Sequence, residues 1–453
     1  MTETVAQAVP ATKAELGPVR GKDRIEVLDI LRGIAILGIF FMNIPFMAGP
    51  IAAVFGDVRG MGWSGADQAT WTFIHTTLDG TQRGLLEFLF GAGLMVTAAK
   101  AMEPDGPVAV ADLYIRRNLW LLAFGLFDIF GLLWVGDILH TYALCALALF
   151  PFRKLRPRWL IALGLSFALL NIVGSGFAYA ERSQLLETAQ VAKAKPEKAR
   201  SAEENKALTD LQKLEREIAG QDAETKKMAA EETKARSRSM LDYAKFMWGS
   251  WLFLLSQGDQ FFWVLEGFAT MLLGIALWKL GFIQGRHSAR EYLVTMLVAY
   301  ALGMGARYFA AAEQLAFSPQ PQIGWFFHEP ARLAVSLGHV AAINLMVKAA
   351  AGRSFLAPLK AAGQMAFTLY FLEQIIGIWI MFSPIGLHLP GAQGWAHLAL
   401  QAGVVIAILL ILANVWMRYF VSGPFEWLWR SLAYNRRQPF RRIPPAAAKP
   451  LPG

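Results

Sequence analysis

LDILRGIAILGIFFMNI, residues 28–44, is almost wholly hydrocarbon, yet it holds Asp29 and Arg32 near its start and Asn43 near its end. A run this apolar reads as a membrane-spanning helix, since a bilayer's hydrocarbon takes about 20 apolar residues per helical crossing. Polar side chains in such a helix are costly and face a bundle interior or a wet cavity. Asp29 and Arg32 lie three apart, on one helical face. They form either an interfacial ion pair, with Arg32 reaching the headgroups, or a binding element in which Arg32 turns inward to hold an anionic group. Asn43, about three turns further on, either lines the same face or bonds to a neighbouring helix.

The rest of the chain extends that reading. Of its 453 residues 55% are hydrophobic and 17% charged, with a mean hydropathy of +0.38. A soluble globular domain rarely reaches such values. Apolar stretches recur at 28–48, 84–101, 118–136, 138–152, 159–180, 260–283, 292–312, 330–350, 364–384 and 394–418. The expected fold is an all-α polytopic membrane protein of about ten transmembrane helices. Five parts follow: a cytoplasmic N-terminal tail (1–27), spans one to five (28–182), a charged helical insert (183–240), spans six to ten with a preceding interfacial segment (241–420), and a basic C-terminal tail (421–453). The first part lacks a short apolar core followed by a cleavage site, so it reads as a retained tail.

Orientation comes from basic residues beside the span ends. They cluster at Lys13, Arg20, Lys22 and Arg24; at Lys100, Arg116 and Arg117; at Arg153, Lys154, Arg156 and Arg158; at Lys279, Arg286 and Arg290; at Lys348, Arg353 and Lys360; and at Arg430, Arg436, Arg437, Arg441, Arg442 and Lys449. The opposite loops hold few, Arg59 being the main exception. This bias places both termini in the cytoplasm and requires an even number of spans. It also accounts for the net charge of +9 without nucleic acid, for which no motif appears; anionic lipid headgroups are the expected partners. The single cysteine, Cys145, excludes an internal disulfide and any cysteine-based metal site.

Residues 183–240 depart from the pattern. They are rich in Ala, Glu, Lys and Gln, and Leu208, Leu211, Leu214 and Ile218 recur at helical spacing. The expectation is an extramembrane helix or helical hairpin, broken at Pro196, on the outer side. It reads as a spacer or docking element, and deletion of roughly 190–235 is expected to leave the bundle folded.

Chemistry must come from polar residues within the spans. In WVGDILHTYAL, Asp137, His140 and Tyr142 lie where two spans meet, with Gly136 at the turn. Asp137 can orient His140 for general-base work; alternatively it caps the following helix and His140 is a rim residue. Asp128, nine residues earlier, is a costly carboxylate. Arg83 and Glu87 are four apart and can pair across a turn, while Gly91 and Gly93 suit close helix packing. His339 stands alone within an apolar run, where a satisfied structural histidine is the commoner outcome, and Glu266 and Glu373 are further carboxylates in apolar surroundings. No zinc-protease spacing or phosphate-binding glycine loop is present, and no bound metal is expected.

Taken together, several motifs are similar to those of the YeiB-like family of bacterial inner-membrane proteins. They are the opening LDILRGIAILGIFFMNI, LFGAG at 89–93, GDIL at 136–139 followed by Tyr142, MLLGIALWKLGFI at 271–283, GQMAFTLYFLEQ at 363–374 and GPFEWLWR at 423–430. Two departures stand out: Gln364 where the family usually has Arg, and Glu373 where it usually has Gln. That family is grouped by fold resemblance with transmembrane acyltransferases of the heparan-alpha-glucosaminide N-acetyltransferase type. The resemblance implies a multi-pass bundle in the bacterial inner membrane. It would pass an acyl group from a cytoplasmic donor such as acyl-CoA, with no covalently held cofactor, to a small-molecule or glycan acceptor outside. In that scheme Asp137 and His140 are catalytic, and Arg32, Asn43, Arg83, Glu87, Tyr142 and His339 surround the substrates. His75 is nearest by position to the acceptor-side histidine of those enzymes, and His140 fits better by context. A transporter using the same intramembrane charges and a scaffold using the insert are the alternatives, and association with a second copy is left open.

Overall fold

The computed structural model describes residues 25–98 and 108–442. The basic positions Lys13, Arg20, Lys22, Arg24, Lys100 and Lys449, most of the N-terminal tail and the end of the C-terminal tail lie outside them.

Every regular element among the described residues is helical: α1 (Glu26–Ala48), α2 (Ile51–Gly56), α3 (Gly65–Thr77), α4 (Thr81–Ala98), α5 (Val108–Phe127), α6 (Leu139–Leu149), α7 (Pro157–Lys193), α8 (Ala202–Ile218), α9 (Ala223–Arg238), α10 (Met240–Gln257), α11 (Asp259–Lys279), α12 (Ala289–Leu315), α13 (His328–Lys348), α14 (Ala350–Gln364), α15 (Ala366–Gln374), α16 (Trp395–Tyr419) and α17 (Pro424–Ala433). A π-helical turn continues α5 (Asp128–Leu132), and another continues α15 (Ile375–Met381).

Among the described residues, six helical segments are long and apolar enough to cross a membrane: α1, α7, α11, α12, α13 with its preceding turn, and α16. A seventh results if α14 and α15, bent 74° at their junction, count as one broken span. This count does not confirm the sequence expectation of about ten, and the remaining apolar stretches show why they fall outside it. The stretch at 138–152 yields an 11-residue α6, about 16 Å long. The described part of the stretch at 84–101 lies in α4, which opens on Thr-Gln-Arg and carries Glu87, and that at 118–136 belongs to a helix bearing Asp112, Arg116 and Arg117. The stretch at 364–384 is interrupted by the bend. Hydropathy runs record composition but not where a helix stops. The crossing helices still define a multi-pass membrane protein, because α7, α12 and α16 turn large apolar residues outward, among them Leu169, Phe177, Leu302, Leu400 and Ile411.

Glycine sets the closest crossings. A Cβ on Gly33 of α1 would fall on the Leu359 carbonyl of α14, and one on Gly363 would fall on the Asp29 carbonyl. The two backbones touch there, which fixes the Arg32 turn against the α14–α15 bend. Gly91 packs as expected, against the Met271 carbonyl of α11, whereas Gly93 meets nothing and lines a cavity.

The insert is not a loose appendage. α7 runs 37 residues without a break at the bundle's edge, and α8 returns along its end through Leu185, Leu186, Ala189, Ala207 and Leu211. The break falls around Pro196, as expected. α9 then comes back onto the bundle. Arg236 donates to the Phe46, Met47 and Gly49 carbonyls at the end of α1, at 3.3, 2.7 and 3.2 Å. Glu232 holds Arg236 at 2.7 Å and accepts the Ile51 N–H at 2.8 Å. A buried guanidinium therefore satisfies the exposed carbonyls of one helix while its carboxylate partner satisfies the start of the next. Residues 190–235, read from sequence as a removable spacer, thus include half of this clasp. Arg236→Ala should lower stability by about 3–5 kcal/mol by leaving Glu232 and three carbonyls uncompensated, whereas Lys213→Ala, at an exposed pair with Glu217, should cost little. Thermal unfolding in detergent followed by tryptophan fluorescence checks both; equal midpoints for Arg236→Ala and the unaltered chain would contradict the clasp.

Candidate functional site: an arginine-lined cavity beside a buried Asp–His pair

A cavity of about 220 Å³ opens between α1, α4, α5, α6, α15 and α17. One part of its wall carries Arg32, Arg117 and Arg430; the remainder is largely apolar and reaches Ile138, Tyr142 and Tyr370. The arginines come from three separate parts of the sequence. Arg32 lies in the second turn of α1, bonded to Asp29 at 3.1 Å and to the Gly363 carbonyl at 3.5 Å. Gln364, one of the two departures noted from sequence, donates to the other Asp29 oxygen at 3.3 Å. Arg117 sits over the Trp429 ring at 4.8 Å, and Trp429 donates to the Arg117 carbonyl at 2.8 Å. Of these, sequence reading singled out Arg32 as a site residue. Arg430 was visible within the GPFEWLWR motif, and Arg117 only as a topogenic charge.

The bend between α14 and α15 frees the first N–H groups of α15 inside the bundle. Glu426 of α17 accepts from Phe367 N and Thr368 N at 2.7 and 3.1 Å and from the Thr368 hydroxyl at 2.6 Å. A carboxylate at a helix N-terminus satisfies donors and complements the dipole. That explains an acidic residue buried in the GPFEW segment.

Behind the cavity wall stand Asp137 and His140. The π-helical turn ends at Leu133, in the left-handed region at φ 66°, and the turn into α6 falls at Val135–Gly136, as the sequence suggested. Asp137 Oδ2 lies 2.8 Å from His140 Nδ1 and also accepts the His140 N–H at 2.8 Å. Oδ1 accepts from Leu139 N at 3.1 Å and from the Tyr370 hydroxyl at 3.1 Å. Asp137 therefore serves both roles open from sequence: it satisfies the start of α6 and it orients the imidazole. His140 Nε2 meets the Gln260 amide of α11 at 2.9 Å. Both members are buried, and Tyr370 links Asp137 to the cavity. Asp128 lies fully buried nearby with no hydrogen-bond partner for either oxygen among the described residues.

Other candidates resolve differently. Arg83 pairs with Glu266 at 2.6 Å and approaches Glu87 at 3.8 Å. Glu87 is held at 3.0 Å by Arg332, which also meets Glu266 at 3.1 Å, Glu329 at 2.7 Å and Thr270 at 2.8 Å. Arg83 and Glu87 thus belong to an ion-pair network joining α4, α11 and α13 rather than lining the cavity. Tyr142 does line it, and donates to the Arg83 carbonyl at 3.2 Å. His339 bonds to the Tyr300 hydroxyl at 2.8 Å and the Thr77 carbonyl at 3.1 Å, a satisfied histidine away from the cavity. Asn43 is half-buried, makes no side-chain hydrogen bond among the described residues and is not in the cavity wall. Glu373 is fully buried with both oxygens unpartnered. Sequence reading missed Arg332, Gln260, Tyr370 and Glu426. For Arg332 the signal was present, an arginine in an apolar run.

Fold and site together define a polytopic helical membrane protein with an arginine-bearing cavity beside a buried carboxylate–imidazole pair. Residues 277–436 match the family described as "Protein of unknown function (DUF418)". The chain is similar to the uncharacterized protein YxaH of Bacillus subtilis (strain 168), 28% identical over 95% of this chain and 99% of the other. It is also similar to the uncharacterized protein YeiB of Escherichia coli (strain K12), 27% identical over 92% and 98%. The YeiB-like resemblance read from the motifs is therefore borne out along nearly the whole chain. No solved structure matches.

Replacing Arg332 by Leu should destabilise the bundle by about 3–5 kcal/mol, because Glu87, Glu266 and Glu329 lose their shared cation in an apolar interior. Chemical denaturation in mixed micelles checks this; a variant as stable as the parent would show that the network contributes nothing net.

Proposed function

We propose that the protein is an inner-membrane acyltransferase with both termini in the cytoplasm, taking its acyl group from an acyl-CoA-like donor and passing it to an acceptor at the outer side. One observation carries the reading: the cavity joins a cluster of three arginines to the Tyr370 hydroxyl, which bonds to Asp137 of the Asp137–His140 pair. Guanidinium groups suit donor phosphates through charge-assisted, forked hydrogen bonds. The apolar stretch formed by Ile36, Leu86, Leu89 and Leu121 suits an acyl chain. Arg32 and the first turn of α1 lie at the end of the bundle opposite the insert-bearing end, where Arg236 closes the other terminus of α1.

In this mechanism the acceptor hydroxyl or amine displaces the Gln260 amide at His140 Nε2. His140 takes its proton as the new bond to the thioester carbonyl carbon forms. Asp137, across Nδ1, stabilises the imidazolium. Collapse of the tetrahedral intermediate breaks the C–S bond, and the thiolate leaves with that proton as CoA-SH. Arg83 and Glu87 hold the wall from behind, through Tyr142, and His339 fixes α13.

A transporter reading draws on the 74° break, since broken helices hold anionic substrates at their exposed N-termini in many carriers. Here Glu426 already occupies that terminus, which favours the transferase. Titration calorimetry of the purified chain with acetyl-CoA and longer acyl-CoAs tests the donor half. Binding to the unaltered chain should vanish in Arg32→Ala, return in part in Arg32→Lys, and persist in Asp137→Asn, in which transfer stops. Absence of binding to the folded unaltered chain by any acyl-CoA removes the transferase and leaves transport as the reading.

A further inference from the structure

A second, smaller cavity of about 80 Å³ lies at the insert-bearing end of the bundle, between α3, α12 and the start of α13. Its position follows from its neighbours. The turn before α13 bonds to α7 through Ser175 and the Trp325 carbonyl at 2.9 Å, on the part of α7 that leads into the insert. Polar residues in its wall are His75, Asp79, Arg307, Gln314 and His328, with Trp71 beside them.

These groups are held in place by bonds that leave specific atoms over. His75 Nδ1 lies 2.9 Å from the Trp71 carbonyl, so it must carry the proton, and the ring stacks on Trp71 at 3.9 Å. In the neutral imidazole that leaves Nε2 as an acceptor, and it has no partner among the described residues. Arg307 reaches from α12 and gathers the carbonyls at the end of α3: His75 and Thr76 through Nε at 2.9 and 3.1 Å, and His75 again and Asp79 through Nη2, the latter at 2.7 Å. Its Nη1 donates to no protein group among the described residues. The carboxylate of Asp79 makes no hydrogen bond there, is 38% exposed, and lies 3.8 Å from Arg307 Nη2.

The leftover set at the end of α3 is mixed: an imidazole acceptor, a carboxylate acceptor and a guanidinium donor, with the Gln314 amide and the His328 imidazole elsewhere in the wall. Its one anion and one cation stand side by side, so a charged ligand attracted by either is repelled by the other. A neutral group that both donates and accepts satisfies all three, and the cavity has room for one edge of such a molecule. We propose that this cavity binds a vicinal diol, the neutral hydroxyl pair presented by glycerol and by sugars. His75 Nε2 and Asp79 accept the hydroxyl protons, and Arg307 Nη1 donates to a hydroxyl oxygen. The assignment is independent of acyl transfer in the inner cavity.

Diethyl pyrocarbonate acylates an accessible imidazole nitrogen, so the modification rate of His75, read by peptide mass spectrometry on the full chain in detergent, reports directly on Nε2. His388 and His397, both exposed, are internal references. Glycerol and methyl α-D-glucopyranoside should each slow His75 saturably, by threefold or more, without slowing the references, and comparison of their half-saturating concentrations distinguishes a glycerol-type from a sugar-type ligand. 1,2-Dimethoxyethane, which has the same oxygens without hydroxyl protons, should not protect. Asp79→Ala should weaken the protection at least tenfold in half-saturating concentration. An unreactive His75 in the unliganded chain, equal protection by the diether, or no protection by either diol would each overturn the proposal, and none of these requires a variant to fold.

Discussion

Arg332 is the charge on which the bundle's interior depends. Its side chain is 1% exposed, in a helix otherwise suited to hydrocarbon, and a lone guanidinium there would be prohibitively costly. Three carboxylates from three helices surround it, and Arg83 partly balances their excess. Such a network contributes little net stability compared with well-packed apolar residues, yet removing one member exposes all the others. Its effect is geometric: α4, α11 and α13 cannot slide past one another without separating ions. The Arg83 backbone is held in the same place, and Tyr142, bonded to its carbonyl, is thereby fixed in the cavity wall.

A related constraint recurs at the helix ends. A bundle containing an 11-residue helix and a 74° bend places helix termini where water does not compensate them. Each receives an ionisable side chain of the appropriate sign. Asp137 accepts the first N–H groups of α6, Glu426 those of α15, Arg236 gathers the last carbonyls of α1, and Arg307 those of α3. Functional and structural readings of an intramembrane charge are therefore not exclusive. Asp137 orients His140 because capping the helix has already set its position.

This dual use decides how much was legible in the sequence. The helical class, the mixed-charge insert and the cluster around Asp137 and His140 could be read, because hydropathy and residue spacing report them directly. The number of crossings is less directly legible, since the 138–152 run yields an 11-residue helix and the 364–384 run is bent by 74°. Arg83 and Glu87 were correctly read as neighbours, but their shared partner Arg332 lies some 250 residues away and leaves no local trace. Arg32 reached the cavity and Asn43 did not, although both sit on the same apolar helix. Helical spacing places them near one face, and only the packing of α14 at Gly33 shows which part of that face borders a cavity.

The two cavities meet this framework from opposite sides. Asp79 borders the smaller one, Arg83 follows one turn later, and Tyr142 on the Arg83 carbonyl borders the arginine-lined one. A displacement of the Asp79 turn would move the Arg83 backbone, yet Arg83 is tied through Glu266 to Arg332. The ion pairs of the Arg83 side chain therefore oppose movement of the turn that carries both Asp79 and the Tyr142 contact. The buried charges that hold three helices in register therefore also anchor the turn lying between the arginine-lined cavity and the smaller polar one.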